Sequence, residues 1–106
     1  MKKDNLKNFI NGWFIGNFNP SLLLTDNFEI AVKRYKAGNS EKSHVHKIAT
    51  EYTIIIDGEV EMNKNKYLKD DIIIIEPNNW TDFYCLTDVT TLVIKIPSVK
   101  EDKYFD

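Results

Sequence analysis

Gly38-Asn39-Ser40-Glu41-Lys42-Ser43-His44-Val45-His46-Lys47-Ile48-Ala49-Thr50-Glu51, continuing through Tyr52 to Ile56 and closing at Asp57-Gly58, is the stretch on which the reading of this chain turns. It holds the only two histidines of the 106 residues, placed at i and i+2. In an extended strand, side chains two residues apart leave the same face, so both imidazoles point to one side. Glu51 sets a carboxylate at the start of the following strand, and a hairpin would bring it back beside the pair. Two imidazoles and a carboxylate on one side of a divalent ion leave positions open for water or substrate, a donor set that Fe, Mn, Ni, Co and Zn all accept. Thr50 to Ile56 is rich in β-branched residues and runs into Asp57-Gly58, a dipeptide that favours tight hairpin turns.

The sequence on either side also reads as strand. Phe28 to Lys36 alternates, with Phe28, Ile30 and Val32 assigned to the interior face. Glu59 to Asn63 alternates again, and a polar turn at Lys64-Asn65-Lys66 precedes Tyr67 and Leu68. Asp71 to Glu76 is a short apolar run closed by Pro77, the pattern of a strand buried on both faces. Thr81 to Leu86 and Thr90 to Ile96 follow. Helical periodicity is absent apart from a single turn within Lys3 to Ile10, too short to stand alone. Seven or more short strands with turn signals between them predict an all-β sandwich or barrel.

Gly38, five residues, His44-x-His46, four residues, Glu51, six residues, Gly58 matches the first conserved motif of the cupin superfamily at every fixed position. On those residues the chain resembles a small single-domain cupin. The resemblance implies a cupin-type antiparallel β-barrel, or jelly roll, with one divalent metal ion on His44, His46 and Glu51. The second cupin motif is matched in part: Asp71, five residues, Pro77-x-Asn79, two residues, Asp82. Asp71 and Asn79 stand where the family has glycines, and both residue types tolerate glycine-like turns. Asp82 stands where the family has its fourth ligand, a histidine. Two roles are open for it: fourth metal ligand, or orienting group and general base on a bound water.

Alternation places Arg34 on the same face as Ile30 and Val32, where a guanidinium near the mouth binds a carboxylate or phosphate or simply reaches water. If Asp82 faces inward, so does Tyr84, which makes Tyr84 a candidate for substrate binding or proton transfer, with Phe83 and Cys85 facing away. Trp13, Phe14 and Phe18 are expected to cap the barrel or to form a dimer contact. The resemblance implies a homodimer, since cupins commonly pair through edge strands.

Length fits one domain, with a core over about residues 12–97 and a charged surface tail over 98–106. A net charge of −2 with scattered basic residues gives no reason to expect nucleic acid as partner. The longest apolar run, Ile72 to Ile75, is far below the ~20 residues of a membrane span, so no membrane partner is expected. A lone cysteine, Cys85, fits a reducing, cytoplasmic setting, and the N-terminus carries no signal-peptide pattern. The expected function is a metal-dependent enzyme on a small polar molecule, of dioxygenase, isomerase or epimerase, or lyase type. The alternatives are a non-catalytic ligand-binding or sensing module and a metal-independent cupin of carbohydrate or nucleotide-sugar metabolism.

Overall fold

The computed structural model describes all 106 residues. Ten strands follow one 3-10 turn at Leu6–Asn8, which Asn5 caps by accepting from the Lys7 N–H. The strands are β1 (Trp13–Ile15), β2 (Glu29–Tyr35), β3 (Ser40–Val45), β4 (Thr50–Asp57), β5 (Glu59–Met62), β6 (Asn65–Leu68), β7 (Ile72–Ile75), β8 (Thr81–Cys85), β9 (Val89–Ile96) and β10 (Tyr104–Phe105). They form two five-stranded antiparallel sheets, a first in the order β1-β2-β9-β4-β7 and a second in the order β10-β3-β8-β5-β6. No helix is long and apolar enough to cross a membrane.

After β2 the chain changes sheet at every connection except β5 to β6. This corrects the expected hairpin at Asp57-Gly58. Gly58 instead turns the chain from the first sheet into the second, at φ +94°, and a Cβ there would sit 2.2 Å from the Asp88 carbonyl oxygen. Only glycine fits both the conformation and the space. The tight hairpin lies between β5 and β6, where Asn63 and Lys64 both have positive φ, as a two-residue type I′ turn requires. Glu51 likewise reaches the histidines from the facing sheet rather than from a neighbouring strand.

Between the sheets the space divides in two. One part is an apolar core of Ile55, Val60, Met62, Ile75, Phe83, Cys85 and Val89, each side chain stabilising the fold by roughly 1.5–3 kcal/mol when fully buried. The other part is polar, and this inverts the expected facing of β2. Glu29, Ala31, Lys33 and Tyr35 point between the sheets, while Ile30, Val32 and Arg34 point outward. The strand β7 also departs from expectation. It is an edge strand whose Ile73 and Ile75 face inward, whereas Ile72 and Ile74 are 60% and 61% exposed.

The stretch 98–106 is largely exposed but is anchored to both sheets. Ser98 is buried, its hydroxyl donating to Glu29 and accepting from the Asn17 N–H. The buried Asp102 carboxylate accepts from the backbone N–H groups of Lys47, Ile48 and Ala49. Tyr104 and Phe105 then pair with Val45 and His44 as the edge strand of the second sheet. These bonds satisfy the loop between β3 and β4, the segment that carries His46 into Glu51.

Candidate functional site

A cavity of about 180 Å³ lies between the sheets beside the apolar core. The first sheet supplies its charged floor. Register aligns Glu29, Lys95 and Glu51 in one cross-strand row on β2, β9 and β4, and Lys33 with Thr91 in another. Opposite charges in adjacent positions of a row attract one another. The second sheet contributes Glu41, His44, Thr81 and Phe83, and Lys103 enters from the C-terminal stretch. Trp13 covers one side: the ammonium groups of Lys33 and Lys95 lie 5.2 and 5.1 Å from its ring centre, within cation–π range. Neither lysine forms an ion pair. Burial lowers the pKa of Lys33, against an opposing pull from Glu41.

His44 is buried, and its Nδ1 lies 3.0 Å from the Lys42 carbonyl oxygen. That bond makes Nδ1 the protonated nitrogen and leaves Nε2 as the ring's free donor atom. His46 is also buried, just past the end of β3, with its ring centre 5.2 Å from that of His44 and its Nδ1 3.9 Å from Glu51 Oε1. Burial, followed by the nearby Lys95 charge, pushes the His46 pKa down to about 4, so the ring is uncharged at neutral pH. Thr53 donates to Glu51 Oε2 at 2.7 Å and fixes that carboxylate. The Tyr35 hydroxyl donates to Glu41, and burial pushes its pKa up, so it stays a proton donor.

The sequence matches no protein-family model and no curated protein. Solved structures resemble the fold closely. A conserved double-stranded β-helix protein from Klebsiella pneumoniae superposes with a TM-score of 0.68 at 17% identity, over 92% of this chain and 85% of that one. An RmlC-like cupin from Shewanella frigidimarina gives 0.63 at 16% identity, over 73% and 71%. This chain has the cupin fold. The DMSP lyase DddQ from Ruegeria pomeroyi shares it with a TM-score of 0.70 at 16% identity, over 83% of this chain and 47% of that one.

On this cupin scaffold the first motif places its residues together: His44 and Glu51 line the cavity, and His46 lies against Glu51. The second motif is displaced by one residue. Asp71 and Asn79 are not the left-handed turn residues; Asp70 (φ 74°) and Asn78 (φ 71°) are. On β8 the inward positions fall one residue earlier than the motif spacing implies, so every side chain on it takes the opposite face. Thr81, Phe83 and Cys85 point inward, and Asp82 and Tyr84 point to solvent. Thr81 is the β8 residue that stands directly across from His44. Asp82 is thus neither ligand nor base. It accepts from the Asn63 N–H at 2.7 Å, while its own N–H donates to Asn63 Oδ1, which ties β8 to the β5–β6 turn. Tyr84 and Arg34, both exposed, do not line the cavity either.

The residues that sequence reasoning missed are Lys33, Lys95, Lys103, Glu29, Glu41 and Thr81. The available signal was Lys95 set between Ile94 and Ile96, a charge in the middle of an apolar strand. The donors on this scaffold fit a divalent ion in chemistry: two imidazoles, one carboxylate, and a His46 Nε2 that is buried and has no hydrogen-bond partner. They flank one corner without closing on it, since no three His, Cys, Asp or Glu side chains already stand close enough to hold an ion.

Proposed function

We propose that this cupin binds a small anionic, polar molecule in the cavity between its sheets and acts on it with a divalent ion held by His44, His46 and Glu51. One observation carries the reading. Only two buried side-chain polar atoms in the molecule lack a hydrogen-bond partner: Thr91 Oγ1 on the cavity wall, and Nε2 of His46, a ring whose other nitrogen lies 3.9 Å from the cavity residue Glu51. Buried polar groups are almost always satisfied, so one orphan on the cavity wall and another on the histidine next to Glu51 support a polar occupant.

Such an ion supplies a Lewis acid that polarises a substrate oxygen. The protein's own groups divide the remaining work. Lys33 and Lys95, held against Trp13 and free of ion pairs, receive the anionic group of the substrate, and Thr91 adds a hydroxyl. Thr53 holds Glu51 in place, and Glu41 with the Tyr35 hydroxyl offers a hydrogen-bonded acid–base pair on the cavity wall. Isomerisation, epimerisation and elimination next to a carboxylate or carbonyl suit this arrangement. A second reading, ligand binding without metal, is favoured by the open corner around His44 and by the Thr81 hydroxyl in place of a fourth ligand.

Metal analysis of protein purified without chelator tests the proposal. About one equivalent of Fe, Mn, Ni, Co or Zn per chain, lost in His44→Ala, is the expected result. Metal-free protein refutes the metal-dependent reading. The binding reading then requires thermal stabilisation by phosphate or small carboxylates that Lys33→Ala/Lys95→Ala removes, and it falls if no such compound stabilises the protein.

A further inference from the structure

Each of the three carboxylates lining the cavity is held by a neutral hydroxyl. Glu29 accepts from Ser98, Glu41 from Tyr35 and Glu51 from Thr53. The three ammonium groups on the same walls, those of Lys33, Lys95 and Lys103, have no carboxylate within ion-pair distance. The cations thus stand unmatched although anions line the cavity beside them.

They form two poles. Lys33 on β2 and Lys95 on β9 are half-buried and share the ring of Trp13. Lys103 is exposed and lies on the side of the second sheet, at the rim. Its backbone is fixed on both sides: the Asp102 carboxylate holds the N–H groups of Lys47, Ile48 and Ala49, and Tyr104 pairs with Val45 of β3. Only the flexible stem of Lys103 is free to adjust. Burial is the main cause lowering the Lys33 pKa, against the pull of Glu41, and repulsion from Lys103 and Lys95 adds to it. Like charges drawn towards a partly dry space are costly until anions join them. The volume of about 180 Å³ gives room for about six waters at ~30 Å³ each, so an occupant that touches both poles is short.

We infer that the occupant carries an anionic group at each end, one bound by Lys33 and Lys95 against Trp13 and the other by Lys103 at the rim. This rests on the proposed anionic occupant of the cavity and narrows it to short dicarboxylates or carboxylates bearing a phosphate ester. Lys103 then decides specificity. A monoanion of equal length sets an uncharged end against its ammonium group and forgoes that charge-assisted bond.

Isothermal titration at low ionic strength, where screening is weak, tests the inference with two pairs of acids. Succinate against butyrate probes a second carboxylate, and phosphoglycolate against glycolate probes a phosphate. The wild-type protein is expected to bind the doubly anionic member of at least one pair about tenfold or more tightly. Lys103→Gln removes that preference and leaves the affinity for the monoanion and the melting temperature unchanged, whereas Lys103→Arg keeps the preference. Lys33→Ala/Lys95→Ala weakens both members of the pair. Equal binding within both pairs, or a preference that survives Lys103→Gln, overturns the inference and leaves the anionic reading of the cavity standing. Binding of none of the four acids refutes both.

Discussion

Replacing Asp102 by alanine perturbs the site from the far end of the chain. Its carboxylate accepts from the N–H groups of Lys47 and Ala49 at 2.9 Å each, and from that of Ile48 at 3.2 and 3.1 Å through its two oxygens. A hydrogen bond to a charged group contributes roughly 1.5–3 kcal/mol. Lys47 and Ile48 are exposed, so water takes over most of what they lose, whereas Ala49 is buried and its N–H is left unpaired. The summed cost in Asp102→Ala is about 3 kcal/mol. At ~4 °C or more per kcal/mol for a domain of this size, the melting temperature falls by about 12 °C or more. Burial acts to raise the Asp102 pKa, but the bonds from Ala49, Lys47 and Ile48 outweigh it and hold the carboxyl below its ordinary 3.8. A folded-state pKa below the unfolded value gives stability that is present above pH 3.8 and lost as pH falls through the lower, folded value. The gap between wild type and Asp102→Asn, which keeps the shape without the charge, must therefore narrow on acidification from pH 5 towards pH 2. Thermal unfolding followed by circular dichroism across that range is the assay. A fall of less than ~3 °C for Asp102→Ala at pH 7, or a gap independent of pH, refutes the reasoning.

Three other outcomes are expected. Thr81→His, across from His44, tightens divalent metal binding by about tenfold or more in a competition titration, while Asp82→His leaves it unchanged. Gly58→Ala forces a Cβ to within 2.2 Å of the Asp88 carbonyl at a positive φ and costs about 2 kcal/mol or more, measured by urea denaturation; a loss under 0.5 kcal/mol contradicts the packing described. Cys85 is fully buried, and its burial pushes the thiol pKa up to about 11, so a thiol reagent modifies native protein on the timescale of unfolding and denatured protein at once.

The strands were legible because most of them alternate and are bounded by turn residues; what failed was the assignment of inside and outside. Binary pattern sends Ile30 and Val32 inward and Glu29 and Lys33 outward, the right choice for a barrel filled with hydrocarbon. Half of this interior is a polar cavity, so the charged residues turn in and the isoleucines turn out. The misplacement of Asp82 has a separate cause. Aspartate and asparagine replace the motif's glycines in doublets, Asp70-Asp71 and Asn78-Asn79, and spacing alone does not tell which member of each takes the left-handed turn. His44, His46 and Glu51 stand near one another because their motif is matched in both residue type and spacing. The role of residues 98–106 was invisible for a third reason: Asp102 acts on residues 53 to 55 positions earlier, and no local pattern records such a contact.

The stacking of two lysines on one indole also equips the protein with its own optical gauge. The chain has two tryptophans, and only Trp13 touches the cavity; Trp80 is exposed on the approach to β8. Indole emission responds to the electric field across the ring, and here two nearby ammonium groups set that field. An anion that draws Lys33 or Lys95 away from the ring alters the colour and yield of Trp13 fluorescence with no label attached. In a Trp80→Phe background the signal is that of Trp13 alone, so a library of unlabelled metabolites becomes a direct screen for the natural occupant.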